Sequence, residues 1–161
     1  MKDSPNSCRT SFITELISNS PQETADIGRQ IASRLSAGSV VALQGTLGSG
    51  KTHLTKGIAL GLGILETITS PTYTIINEYP LADTSHLKAS SFYHIDVYRL
   101  NDEKEFEDTG GLEIINGNGI CVIEWSERIL NFLPADAIGV SLEITGISSR
   151  KFHIKGLECH K

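Results

Sequence analysis

Gly45-Thr46-Leu47-Gly48-Ser49-Gly50-Lys51-Thr52 has the spacing G-x-x-x-x-G-K-[ST]. Glycines at these places let the backbone curl until successive N–H groups point inward at phosphate oxygens. Lys51 then reaches the β- and γ-phosphates, and the Thr52 hydroxyl is a ligand for Mg²⁺. Such a site needs an acid from a second strand to hold the metal, directly or through water. Two segments offer one: Glu124 closes the apolar run ICVIEW, and Asp96 lies in FYHIDVYRL. Either acid has a plainer role open to it, capping the next helix or pairing with Arg99 or Arg128. Together, beside a phosphate loop, they point to a magnesium–nucleotide site. His94 reads as a hydrogen-bonded strand residue rather than a base. Trp125, beside the acid, reads as core or as a platform shielding the nucleotide.

The flanks decide between a cradle and a flexible glycine turn. Val40 to Leu43 is short and wholly apolar, as expected of a buried strand in a parallel sheet. After the loop, Leu54, Ile58 and Leu62 recur every four residues, and Gly61 and Gly63 mark the helix end. The helix therefore starts near Lys51 and aims its positive dipole end at the cradle. Upstream, a strand is expected over Phe12 to Ile17. Ser20-Pro21-Gln22-Glu23 then opens a helix with a capping box. Ile27, Ile31 and Leu35 share one face of that helix, and Gly38 is expected to end it. Thr67 to Tyr79 reads as extended, with Ser70-Pro71 turning into it. Leu81 to Ser91 is a polar connection, and Phe92 to Leu100 a strand. Asn101-Asp102-Glu103 caps an acidic helix stopped by Gly110-Gly111. Ile120 to Trp125 is a buried strand, Ser126 to Phe132 a short helix, and Ala137–Thr145 with Lys151–Leu157 a terminal hairpin. The order predicts a three-layer α/β fold with a largely parallel central sheet, antiparallel strands at its edge, and the site at the strands' carboxyl ends.

The 161 residues suit one domain, expected over 11–161 after a loose tail at 1–10. No apolar run approaches the roughly 20 residues of a membrane span, and the polar N-terminus lacks an apolar leader core, so a cytoplasmic location is expected. A net charge of −5 without a basic stripe argues against direct, charge-driven nucleic-acid binding. Cys8, Cys121 and Cys159 form no CxxC pair, so neither a zinc site nor a disulfide framework is indicated. The N-K-x-D motif that reads guanine is absent, as is an arginine-rich lid.

The blocks GTLGSGKT, SPTYTIINEY, YHIDVYRL and VIEWSER, in this order and spacing, resemble the TsaE family over about residues 20–157. These are small bacterial P-loop ATPases that support threonylcarbamoyl modification of adenosine in tRNA. The SPT[YF]T and H-x-D-x-YR blocks carry the resemblance; the glycine loop alone does not. It implies that Gly45, Leu47, Gly48, Ser49, Gly50, Lys51 and Thr52 cradle the phosphates of ATP or ADP. It implies that Thr52 and Glu124 hold Mg²⁺ and that Asp96 organises the attacking water or the metal's surroundings. Thr24 matches a threonine near the base, and Trp125 the tryptophan after the metal-side glutamate. Ser70, Pro71 and Thr72 match a switch-like segment on the γ-phosphate side. The chain departs from the family at Thr46, where aspartate is usual, and at Ser126, where proline or alanine is common. The second change is expected only to alter helix capping.

The resemblance also implies partners, the TsaD catalytic subunit and its TsaB companion, which would hold the tRNA. The expected activity is a Mg-dependent ATPase, slow alone and stimulated by partners, with Lys51, Asp96 and Glu124 as its catalytic residues. Arg99 is a candidate arginine finger, or a structural partner of Glu105 or Asp108. A small-molecule kinase and a nucleotide-gated binding module are the competing readings.

Overall fold

The computed structural model describes residues 13–82 and 88–157. The expected tail, Phe12, Cys8, Cys159 and part of the polar connection after Leu81 lie outside them. Seven strands and four α-helices follow in the order β1 (Ile13–Ser18), α1 (Pro21–Ala32), β2 (Val40–Gly45), α2 (Lys51–Gly61), β3 (Ile76–Pro80), β4 (Ser91–Asp96), α3 (Glu103–Asp108), α4 (Gly111–Ile115), β5 (Ile120–Glu124), β6 (Ile138–Ile144) and β7 (Arg150–Lys155). A 3₁₀ segment, Ser126–Phe132, follows β5. No helix among the described residues is long and apolar enough to cross a membrane.

The strands make one sheet in the order β1-β7-β6-β2-β5-β4-β3. β6, β2, β5 and β4 are parallel, while β3 at one edge and β7 and β1 at the other are antiparallel. The expected architecture is therefore present. Strand alternation sends side chains to opposite faces. Val41, Leu43, Phe92, Ile120 and Val122 pack with Ile27, Ile31, Leu54 and Ile58 of α1 and α2. Val40, Ile95, Cys121 and Ile123 pack on the other face with Phe106 of α3 and Ile115 of α4. Cys121 is the small core residue that its apolar run indicates, and burial pushes its thiol pKa up to about 12.

Several boundaries differ from the sequence expectation. α1 begins as predicted: Ser20 Oγ accepts from Glu23 N at 3.1 Å, and Glu23 Oε2 accepts from Asn19 N at 2.7 Å. It ends at Ala32, not at Gly38, because Arg34 and Leu35 close tight turns onto Ile31 and Ala32. Leu35 stays buried without being helical. Thr67–Tyr79 is not extended throughout. Ile75 N–H bonds back to Pro71 O at 2.8 Å, with Ile75 at φ 67°, so a turn precedes the short β3. β4 stops at Asp96 rather than Leu100, because Leu100 N–H turns back to Val97 O. Gly110, at φ 76°, ends α3 but also starts α4.

α1 and α2 meet through glycine. A Cβ on Gly28 would stand 2.5 Å from the Leu54 carbonyl oxygen, and one on Gly57 would run into the Ala25 backbone. Since α2 carries Lys51 and Thr52 at its first turn, this close packing sets where the phosphate loop sits. Gly57→Ala should destabilise the chain by about 3 kcal/mol, seen as a melting point lower by roughly 10 °C. Unchanged melting of that variant would show that the helices do not need this approach.

Candidate nucleotide site

β2 delivers the chain into the glycine loop, and α2 leaves it with Lys51 as first residue. Gly45 takes φ 149° and Gly50 φ 104°, geometries that only glycine adopts without strain. Gly50 caps α2 with no side-chain bond, so the open N–H groups of the first turn face the loop. The Thr46 side chain is exposed, and its carbonyl accepts from Ser49 N at 3.1 Å and Lys51 Nζ at 3.0 Å. Its part in the loop is thus played by backbone. Ser49 Oγ is buried without a hydrogen-bond partner among the described residues.

The sheet register sets the acids. Asp96 is level with Glu124, and Glu124 with Leu43, at the carboxyl ends of β4, β5 and β2. Glu124 Oε2 accepts from the Thr52 hydroxyl at 3.2 Å. Its other oxygen, Oε1, lies 2.8 Å from His94 Nε2. His94 is fully buried and its Nδ1 has no partner among the described residues. Nε2 therefore carries the proton given to Glu124, since a buried N–H at Nδ1 would be left unbonded. His94 is the hydrogen-bonded strand residue that the sequence indicates. Asp96 Oδ2 accepts from Ser70 Oγ and Oδ1 from Tyr98 N, both at 2.9 Å. Ser70 Oγ lies 2.9 Å from Thr72 Oγ1, so the carboxylate holds the Ser70–Pro71–Thr72 segment at the site.

Lys51 Nζ donates to Gly45 O at 2.7 Å as well as to Thr46 O, and it stands 3.8 Å from the centre of a Trp125 ring. Burial lowers its pKa below the usual lysine value; Glu124, Glu127 and Asp96 oppose that shift. Trp125 sits at φ 62°, with Tyr98 against it at 4.7 Å. The ring packs against the second core and also lines the cleft beside Lys51. A cleft of about 470 Å³ runs along these residues, from Thr24 and Ser20 past Leu47, Gly48 and Lys51 to Ser70, Asp96 and Glu124. The Thr24 hydroxyl is engaged by Ser18 Oγ at 2.8 Å and Ser20 O at 3.2 Å, so what it offers the cleft is its methyl group.

Two residues behave differently from expectation. Arg99 lies over the exposed Tyr73 ring at 4.5 Å, while the Glu105 carboxylate is taken up by Asn101. Ser126 caps nothing; its hydroxyl bonds to Leu43 O at 3.2 Å and fastens the turn after β5 to the end of β2. Sequence reading missed Arg150, which lines the cleft from the opposite edge of the sheet. Nothing in its local sequence distinguishes it; only the β6–β7 hairpin brings it there.

Ser49 Oγ, orphaned inside the loop, fits a phosphate oxygen as partner. The hydroxyl of Thr52 and carboxylate of Glu124 are the hard oxygen donors that magnesium takes. Trp125 is the chain's single tryptophan, so its emission reports Lys51 directly. Titrated ADP should draw the ammonium off the ring and change that emission. Lys51→Met should abolish the ADP-dependent change and weaken binding by about tenfold to a hundredfold. An emission unaltered by saturating ADP would count against this placement.

The family model for the threonylcarbamoyl adenosine biosynthesis protein TsaE matches residues 18–152. A tRNA threonylcarbamoyladenosine biosynthesis protein TsaE from Treponema pallidum is 44% identical over 138 residues, covering 86% of this chain and 97% of that protein. Its Bacillus subtilis counterpart is 40% identical over 131 residues, covering 81% and 78%. The crystal structure of YdiB from Bacillus subtilis superposes with a TM-score of 0.71 at 30% identity, over 93% of this chain and 89% of that one. With the match spanning the glycine loop, both acids and Arg150, the chain belongs to the TsaE family.

Proposed function

We propose that this chain is a magnesium-dependent ATPase serving threonylcarbamoyl modification of adenosine in tRNA, acting with a TsaD–TsaB complex in the cytoplasm. The observation that carries the reading is the meeting of the Thr52 hydroxyl and Glu124 carboxylate at 3.2 Å, directly behind the glycine loop. A hydroxyl from the first turn of α2 and a carboxylate from the end of β5, beside a lysine, are what a metal-bound triphosphate needs. The family names of the relatives support the pathway. The net charge of −5 supports tRNA contact mainly through the partners.

When bound, Mg²⁺ would supply charge neutralisation on the phosphates, held from Thr52 and Glu124. Lys51 exchanges its two loop carbonyls for phosphate oxygens and offsets negative charge developing there. His94 keeps Glu124 fixed through its Nε2–H, leaving Oε2 turned to Thr52. Asp96 is immobilised by Ser70 and Tyr98 N–H, yet each carboxylate oxygen retains a lone pair. It can therefore accept a hydrogen bond from an attacking water and orient it. Ser70, Pro71 and Thr72 form the switch-like segment whose position depends on that carboxylate. Trp125 and Tyr98 cover one wall and limit access of bulk water.

The test is ATP hydrolysis by the chain alone and with reconstituted TsaD–TsaB, read as inorganic phosphate. Slow turnover alone, acceleration by the complex, and loss of both in Lys51→Ala are expected. Equal rates with and without partners contradict partner stimulation. Stoichiometric phosphate transfer to a metabolite would make the chain a kinase. Asp96→Asn and Glu124→Gln should cut turnover by about a hundredfold, keep ATP binding, and stop tRNA modification. Modification that persists in those variants would leave only a nucleotide-gated binding module.

A further inference from the structure

Arg150 opens β7 and directs its guanidinium wholly at main-chain oxygens. Nε donates to Ser49 O and Nη2 to Gly48 O, each at 3.1 Å. Nη1 donates to Ser149 O at 2.9 Å, Gly146 O at 3.1 Å and Ile147 O at 3.4 Å. One side chain thus fastens the tip of the β6–β7 hairpin to the phosphate loop.

A peptide group is planar, so fixing its carbonyl also fixes the N–H across the bond. The Ser49 carbonyl shares its plane with Gly50 N–H, and the Gly48 carbonyl shares its plane with Ser49 N–H. Holding those two oxygens sets where these N–H groups point, and Ser49 N–H is thereby turned onto Thr46 O at 3.1 Å, which closes the loop on itself. The guanidinium charge also polarises both peptide groups and strengthens the donors opposite. The need for such a grip is plain from the loop. Gly48 has φ 76° and Gly50 φ 104°, and no Cβ restrains either one. A Cβ on Gly48 would meet nothing within 4 Å, so packing does not hold that residue. Left to itself, the loop would lose conformational freedom on taking up an anion, and affinity would fall accordingly.

We propose that Arg150 is a positioning residue for the phosphate loop, holding the Gly48 and Ser49 carbonyls so that the cradle stands formed before the anion arrives. The inference rests on the nucleotide reading and extends it to a residue outside the glycine motif. It places the requirement on the triphosphate, not the base.

The experiment titrates the full chain, by calorimetry, with ADP and separately with inorganic tripolyphosphate, alongside thermal melting. Arg150→Met should weaken both ligands by one common factor, about tenfold. Arg150→Lys should recover part of the loss, because lysine keeps the charge but not the fork that reaches two carbonyls at once. A folded Arg150→Met protein that binds tripolyphosphate like wild type overturns the proposal. Should Arg150→Met fail to fold, wild-type tripolyphosphate binding by Arg150→Lys overturns it equally. A loss confined to ADP would assign Arg150 to the base and also overturn it. Wild-type protein that takes up neither ligand would remove the nucleotide reading itself, and this inference with it.

Discussion

Leu43, Glu124 and Asp96 stand side by side because β2, β5 and β4 run parallel in one register. Slipping β5 by one residue would turn Glu124 to the opposite face and its apolar neighbours with it. The alternation of Val122, Ile123 and Glu124 prevents this, since Val122 and Ile123 belong to the two separate cores. The apolar layers therefore do more than stabilise the sheet. They fix which face carries the carboxylates, and that face is the one on which α2 presents Thr52.

Around this arrangement, two cations hold the loop from opposite sides. Lys51 binds the Gly45 and Thr46 carbonyls, and Arg150 binds those of Gly48 and Ser49. The two are not equivalent. Lysine is a single mobile charge that can turn from carbonyl to phosphate, whereas the arginine fork is occupied on all sides by backbone. One grip is suited to exchange and the other to permanence. Lys51 also lies over the Trp125 ring, and the charges of Glu124, Glu127 and Asp96 oppose the effect of burial on its own charge.

Asp96 links the site to the segment between Ser70 and Ile75. Its carboxylate joins Ser70 and, through it, Thr72; its N–H joins Ile75 O. Tyr73, between these anchors, is exposed and carries Arg99 on its ring. The Asp96 carboxylate and this external aromatic–arginine pair are therefore parts of one connected segment.

The glycine spacing, with an apolar strand before it and a helical repeat after it, is local information, and so the strand–loop–helix unit was legible in the sequence. Glu124 was legible as an acid ending an apolar run, Asp96 as an acid within a strand whose end was placed too late, and Ser20-Pro21-Gln22-Glu23 as a helix start. The turn at Pro71–Ile75 was not, because threonine and isoleucine favour extended backbone, whereas here Ile75 N–H closes onto Pro71 O and its carbonyl is held by the distant Asp96 N–H. The end of α1 was misplaced because Leu35 is buried, and burial alone does not distinguish a helix face from a turn. Arg150 is the clearest case of what tertiary structure alone decides. It is 101 residues from Ser49 in the chain. Its place beside the loop follows from β6 pairing with β2 in parallel while β7 turns back along β6. Sequence determined the chemistry of the loop and its acids, since that chemistry resides in short contiguous patterns. Strand order determined which distant side chain would hold the loop's shape, since backbone carbonyls carry no mark in the sequence of what will bind them.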